Sequence, residues 1–573
     1  MYDFSRSEWL EFLSPEKVII GESPEDVLPL LHEINELVRT KSWYAAGFLS
    51  YEAVCGFDEA LRVNPSVDFP LLWFGLFSDI RRHPDLPDDF TGSYSIQEWT
   101  PELSKREYLE SIEKIRQALE RGDTYQVNYS YRQQAKFSGE PSALFRALIS
   151  PRYPGYGAYL NIGDYVVCSA SPELFFTWED GILTSRPMKG TYSRGRTLEE
   201  DNRFADTLHR SEKDRAENVM IVDMVRNDMG RVAEFGTVTV PDLFSIEKYP
   251  TVWQMTSTVQ GKTEATIPEI MTALFPCASI TGAPKVSTMR IIANLEQSPR
   301  NIYTGSIGFI TPERRAQFNV AIRTALIDKN QRRIEYGTGG GIVWDSEPEK
   351  EYDEARLKTN ILHKTIPDFD LLETLLWERE SGYFIEEYHR RRIAGSAEYF
   401  DFAFDSDKWE RRLRKLEDEF SEERYRVRVT LSRTGRISAK YLPMPKTGGT
   451  TPVKVGIAEY PIDESDPFLY HKTSYREIYE KAKHSVPDCG DVILWNSREE
   501  ITESTIANVV IQLEGRLITP PVESGLLPGT FRQYLLDKGE IGENTVTVDI
   551  LQQAERIYLI NSVRKWRQAS LVK

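Results

Sequence analysis

Arg186-Pro187-Met188-Lys189-Gly190-Thr191 places a single lysine between a proline and a glycine, directly after a strand-like run. The proline and glycine constrain the backbone around it, which makes Lys189 a candidate nucleophile and more than a solvated charge. Glu173 stands on the other arm of a hairpin whose turn is marked by Asp180-Gly181. A three-residue loop sets Glu173 opposite Lys189, whereas a two-residue turn sets them on opposite faces. The pair therefore reads either as a cross-strand ion pair or as a nucleophile with its acid.

Four other segments are candidates for chemistry or ligand binding. Ser211 to Val232 reads as a helix with Glu212, Asp214, Glu217, Asp223 and Asp228 beside an apolar Val219-Met220-Ile221-Val222 centre. Glu351, Glu354 and Lys358 fall at i, i+3 and i+7 on a helix opening at Pro348, so they share a face. Two carboxylates so placed suit Mg²⁺, which takes oxygen ligands and keeps several waters; a solvated helix face is the other reading. Gly337-Thr338-Gly339-Gly340-Gly341 lets a ligand approach the backbone closely and offers it N–H groups. It lacks the spacing of a nucleotide fingerprint, and a tight turn would account for it equally. In the last third, His471-Lys472-Thr473 precedes a helix-like run from Tyr475 to Lys483.

The elements that must position these residues are mixed. Tyr165-Val166-Val167 and Leu174-Phe175-Phe176 read as strands, and Lys105 to Arg121 as a helix with Leu109, Ile112, Ile115 and Leu119 at helical spacing. At 573 residues the chain exceeds one core. Ile366-Pro367-Asp368 interrupts the helix begun near Glu349, and the texture changes after it, including a charged helix around Lys408 to Phe420. The expected division is 1–365 and 366–573, with a linker at Pro443 to Pro452 inside the second part.

A net charge of −17 argues against a nucleic-acid or anionic-membrane binder, so an anionic substrate needs a local basic pocket. Cys55, Cys168, Cys277 and Cys489 show neither metal nor disulfide spacing. With no leader-like start and no long apolar run, a cytoplasmic protein without a membrane span is expected.

Tyr51-Glu52-Ala53, Gly122-Asp123-Thr124-Tyr125-Gln126-Val127-Asn128, Ser169-Ala170-Ser171-Pro172-Glu173, the Lys189 motif, Asp214-Arg215-Ala216-Glu217-Asn218, Ser279-Ile280-Thr281-Gly282-Ala283-Pro284-Lys285, Val320-Ala321-Ile322-Arg323-Thr324 and the glycine run follow one another in order. Together they resemble the chorismate-utilising enzymes, in particular the branch of aminodeoxychorismate synthase component I, over nearly all of 1–365. The resemblance implies an α+β chain opening with a two-layer α/β sandwich that binds chorismate and Mg²⁺. It implies Glu217, Glu351 and Glu354 around the metal. Ser279, Arg323, Lys358 and the backbone of Gly339, Gly340 and Gly341 belong to the substrate site, with Tyr303 near the pyruvyl group. Lys189 is then the residue that attacks C2 and expels the 4-hydroxyl, and Glu173 the general acid and base. Relatives that make anthranilate usually carry a small residue in place of Lys189 and tend to have histidine at Gln254, so both positions favour the 4-amino product.

Tyr388-His389-Arg390-Arg391-Arg392-Ile393, Lys472, Ile501-Thr502-Glu503-Ser504-Thr505-Ile506-Ala507-Asn508 and Gly525-Leu526-Leu527-Pro528-Gly529-Thr530-Phe531-Arg532 resemble the fold-type IV pyridoxal-phosphate enzymes. That likeness implies a smaller, two-subdomain unit in which Lys472 carries pyridoxal 5′-phosphate as a Schiff base. Glu503 would face its ring nitrogen, and Arg392 and Thr530 would bind its phosphate. Members of this group usually begin with a further strand; here only Ile366 to Leu371 precede Leu372-Glu373-Thr374.

The fusion implies two consecutive reactions, amination of chorismate to 4-amino-4-deoxychorismate and elimination of pyruvate to 4-aminobenzoate. A separate glutamine amidotransferase subunit, or free ammonium, would supply ammonia, and the fold-type IV part would form a homodimer. The alternatives are an anthranilate synthase component I fused to an aminotransferase of the branched-chain or D-amino-acid kind, and a catalytically silent second domain.

Overall fold

A computed structural model describes residues 1–66, 68–149, 155–359, 368–445 and 451–572. The chain divides into two compact units. The first comprises Met1–Ser193 and Ala205–Thr365, the second Arg194–Phe204 and Ile366–Lys573. The expected break at Ile366-Pro367 and part of the expected linker, residues 446–450, lie outside the described residues.

Two large antiparallel sheets, one of ten strands and one of eight, build the first unit. Central strands of the ten-stranded sheet are apolar on both faces. In Tyr44–Leu49, Ala45 and Leu49 pack toward Val27, Leu31 and Ile34 of the helix Pro24–Lys41, while Phe48 packs with Ala158, Leu160 and Val167 of the other sheet. Both faces are covered, so strict alternation of polar and apolar residues gives way to continuous apolar runs. On the outside of the eight-stranded sheet, Tyr108, Ile112 and Ile115 of the helix Lys105–Glu120 pack on Val127, Tyr129 and Tyr131. Ser104 caps that helix, with Glu107 completing the reciprocal box.

The structure decides two points that the sequence leaves open. The hairpin turn has two residues, with Glu179 paired to Ile182 and both Asp180 and Gly181 at positive φ (52° and 74°). A bulge between Leu174 and Thr177 then shifts the pairing so that Leu174 meets Arg186. The strand also ends at Arg186, and Met188–Ser193 pairs with Val252–Lys262 instead. Uniform counting along one ladder therefore fails: the bulge and Pro187 redirect the chain, and the Met188 N–H points at the Glu173 carboxylate, 3.4 Å from Oε1. The glycine run, for its part, is no turn. It lies within the strand Arg333–Ile342, with Gly339, Gly340 and Gly341 paired to Ser130, Tyr129 and Asn128.

The second unit has two sheets, one in each subdomain. Leu371–Glu378, Arg424–Leu431 and Ile437–Pro443, with the short Gly382–Tyr383, form a four-stranded sheet covered by the helices Glu386–Phe400 and Ser406–Glu417. Trp409, Leu413 and Leu416 of the charged helix fill that core. The other sheet has eight strands, and the pairing of Glu503 with Asn508 closes most of it into a ring around Val455, Ile493, Val509 and Leu559.

Candidate functional site

In the first unit, the bare strand Arg333–Ile342 forms the floor of a polar site. A Cβ built at Gly341 would lie 2.2 Å from Lys189 Nζ and 3.2 Å from Gln126 Nε2. At Gly337 a Cβ would lie 2.2 Å from the ring of Tyr303, and at Gly340 it would meet Glu351 Oε2 at 3.3 Å and Lys358 Nζ at 3.9 Å. At Gly337 and Gly341 the Tyr303 ring and the Lys189 amine take the space of a Cβ, and at Gly340 Glu351 only crowds it. Thr338 between them turns away and donates to Ala355 O.

Glu173 is buried and accepts a hydrogen bond from Ser279 Oγ at 2.6 Å. Burial pushes its carboxyl up to about 7, against the opposing pull of Ser279, the Met188 N–H and Lys189. It is therefore a carboxyl divided between acid and base near neutrality, which suits a group that must give a proton and take one back. Lys189 Nζ stands 4.0 Å from Glu217 Oε2. Arg323 adopts positive φ (50°), and no hydrogen bond or ion pair engages its guanidinium among the described residues.

Two of the expected metal ligands have lysine neighbours. Lys358 Nζ binds Glu354 Oε1 at 2.9 Å and Gly339 O at 2.8 Å, while Lys213 Nζ stands 4.0 Å from Glu217 Oε1. Among the described residues no three His, Cys, Asp or Glu side chains are placed to hold a metal. Their chemistry nevertheless suits a hard cation: Glu217 and Glu351 are both raised, first by burial, and the charge of Glu354 adds to each.

In the second unit a cavity of about 300 Å³ is lined by Lys472, Glu503, Arg392, Asn508, Gly529 and Thr530, among others. Burial lowers Lys472 to about 8, and the positive charge of Arg392 adds to the effect. The preceding His471 is held on three sides: its ring stacks on Tyr399 at 4.3 Å, Nδ1 meets Ser396 Oγ at 3.0 Å, and Nε2 meets Arg196 O at 3.2 Å. Glu503 Oε1 accepts from Tyr479 Oη at 2.8 Å and from the Leu527 N–H at 3.1 Å, while burial raises the carboxyl to about 7. Thr530 opens the helix Thr530–Asp537, and Gly529 before it has no room for a side chain, since a Cβ there would sit 1.8 Å from Asn508 Oδ1. Arg392 also has protein partners. Its guanidinium forks onto Glu373, with Nε at 2.8 Å from Oε1 and Nη2 at 2.7 Å from Oε2, and Nη1 donates to Pro528 O. Burial would raise Glu373, but Arg392 and His389 hold it down to about 2.

A family model described as chorismate binding enzyme matches residues 4–364. That is more than half of the chain. The chain belongs to the chorismate-binding enzyme family. Aminodeoxychorismate synthase component 1 of Bacillus subtilis is 41% identical over 361 residues, covering 56% of this chain and 76% of that protein. Anthranilate synthase component 1 of Aquifex aeolicus is 38% identical over 273 residues, covering 47% of this chain and 55% of that protein. Among solved structures, anthranilate synthase component I from Streptococcus pneumoniae superposes with a TM-score of 0.55 at 25% identity, covering 62% of this chain and 92% of that one. A second family model, amino-transferase class IV, matches residues 370–572.

Some residues of this chorismate-binding enzyme gave no functional signal in sequence. Gln126 is buried beside Lys189, and neither of its side-chain polar atoms has a partner among the described residues. An isolated amide buried in this way costs free energy. Glu373 and His389, joined at 2.6 Å, fix Arg392, and Tyr479 fixes Glu503. The hint in sequence was only that Gln126, Glu373 and His389 sit inside recognisable motifs.

Proposed function

We propose that the first unit aminates chorismate at C4 and that the second eliminates pyruvate from the product, leaving 4-aminobenzoate. The relatives carry two different names at similar identity, so similarity alone does not choose the product. The observation that carries the reading is Lys189 Nζ, held against bare Gly341 with Gln126 and Glu217 beside it and Glu173 within electrostatic reach.

In this reading chorismate lies on the glycine floor, with Arg323 and Lys358 facing its carboxylates and Tyr303 its pyruvyl group. The Lys189 amine bonds to C2, the ring double bonds shift, and the C4–O bond breaks. Glu173 gives its proton to the departing hydroxyl, which leaves as water. Ammonia then bonds to C4, the electrons shift back, and the C2–N bond to Lys189 breaks. Ser279 keeps the Glu173 carboxyl aimed. The Glu217 and Glu351 carboxylates, with Glu354, are the groups that would hold Mg²⁺, whose chemistry there would be polarisation of a ring carboxylate.

The cavity of the second unit fits pyridoxal 5′-phosphate, which supplies an electron sink when bound. Lys472 would hold it and move the substrate proton. Glu503 Oε1 is taken by Tyr479 and Leu527, so Oε2 is the oxygen left for a ring nitrogen. Thr530 and its helix start suit the phosphate, toward which Arg392 contributes charge while its fork stays on Glu373. A separate glutamine amidotransferase subunit or free ammonium supplies nitrogen, and the second unit pairs as a homodimer. Four free cysteines fit a reducing, cytoplasmic setting, and no helix among the described residues is long and apolar enough to cross a membrane.

The test is product identification after incubation with chorismate, Mg²⁺ and ammonium. The expected products are 4-amino-4-deoxychorismate without added pyridoxal phosphate and 4-aminobenzoate with it. Anthranilate would overturn the reading.

A further inference from the structure

The wall of the second unit's cavity is strongly basic. Arg392, Arg426, Arg428, Arg476 and Arg564 line it together with Lys472, against the single carboxylate of Glu503. Two of the arginines are already engaged, Arg392 by Glu373 and Arg476 by Thr505 O and the ring of Tyr479. The other three are not: among the described residues no hydrogen bond or ion pair reaches the guanidinium of Arg426, Arg428 or Arg564. A chain with 88 acidic residues has ample carboxylates with which to pair them.

Their placement follows from strand geometry. In Arg424–Leu431 the side chains alternate, so Tyr425, Val427, Val429 and Leu431 enter the core while Arg426 and Arg428 project from the opposite face, one repeat apart. Arg564 lies in the turn between two strands of the ring, Arg556–Asn561 and Lys565–Leu571, beside Asn561, Ser562 and Val563. Burial lowers Arg564, and the like charges of Arg567 and Arg426 lower it further, with Asp491 opposing them. Asp491 is itself occupied by the hydroxyls of Ser504 and Thr505. Like charges crowded at a cavity wall repel one another unless an anion joins them.

We infer that Arg426, Arg428 and Arg564 bind the carboxylates of a ring dicarboxylate, making the cavity select a dianionic substrate over a monocarboxylate amino acid. The inference rests on the proposed function and deepens it. A 4-amino-4-deoxychorismate carries two carboxylates, one on the ring and one on the enolpyruvyl arm, whereas an ordinary apolar amino acid offers one. The bidentate fork of arginine matches a carboxylate, and loss of one such charge-assisted contact weakens binding by about tenfold or more.

The experiment uses the full chain loaded with pyridoxal phosphate, whose absorbance reports on the second unit alone. The titrants are 3-(carboxymethoxy)benzoate, a dicarboxylate, and 3-methoxybenzoate, its monocarboxylate counterpart. The dicarboxylate is expected to perturb the absorbance at a concentration about tenfold or more lower. R426Q with R428Q, and separately R564Q, should remove most of that preference while retaining bound cofactor, and R428K should restore part of it. Equal half-saturation by the two probes, or a preference surviving in variants that retain the cofactor absorbance, overturns the inference while leaving the proposed function intact if 4-aminobenzoate is still formed. A chain that takes up no pyridoxal phosphate overturns both.

Discussion

Lys189 Nζ occupies the space beside Gly341 that a side chain would fill, 2.2 Å from where its Cβ would lie. The atom in the way is the far end of a flexible side chain, so G341A should fold and displace the lysine. Formation of the 4-amino product should drop by about a hundredfold, the order expected of an ångström-scale misplacement. Circular dichroism and melting temperature should change little. K189A should abolish the product, and unchanged turnover in K189A would rule out the covalent role.

Glu173 carries a pH signature. Its carboxyl is raised to about 7 when folded, above an unfolded value near 4.3. The folded state therefore holds the proton more tightly, and the resulting stability is present below about pH 4 and is lost as pH rises to about 7. E173Q, which cannot ionise, should exceed the wild type in stability at pH 8 by up to about 3 kcal/mol, with the gap closing near pH 4. Urea unfolding at the two pH values checks this. Amination in the wild type should decline as pH passes about 7, because the proton donor is lost.

Lys472 is lowered to about 8, first by burial. Only a neutral amine condenses with an aldehyde, so cofactor uptake by the apoprotein should accelerate as pH rises through about 8, and not near the 10.4 of a free lysine. Stopped-flow absorbance measures the rate. K472A should show no lysine-bound cofactor band at any pH.

Tyr479 donates to Glu503, and Y479F removes that donor from a buried carboxylate. A hydrogen bond to a charged group is worth about 1.5 to 3 kcal/mol, or roughly one to two pH units. Glu503 should therefore become harder to ionise, and the acidic limb of 4-aminobenzoate formation should move up by about one unit. The loss should be larger at pH 6 than at pH 8.

Motif order made the two active regions legible from the chain alone, because catalytic residue types at particular spacings survive reading in one dimension. The helices at Lys105–Glu120, Glu212–Met229 and Pro348–Leu357 were also legible, since a 3.6-residue period is a local signal. The meeting of Glu173 with the Lys189 segment was not. It depends on a bulge and on a change of strand partner at Pro187, neither of which leaves a periodic trace.

The amino-acid sequence by itself determined the residue types present: a candidate nucleophilic lysine for each region, acids to serve them, and glycines that leave space beside them. Tertiary structure alone decided which of these groups share a space. It put the glycine run in a strand facing Lys189 and turned the fork of Arg392 onto Glu373. The reason is physical: covalent order sets chemistry and local period, whereas burial and proximity arise only when elements distant in sequence pack and exclude water.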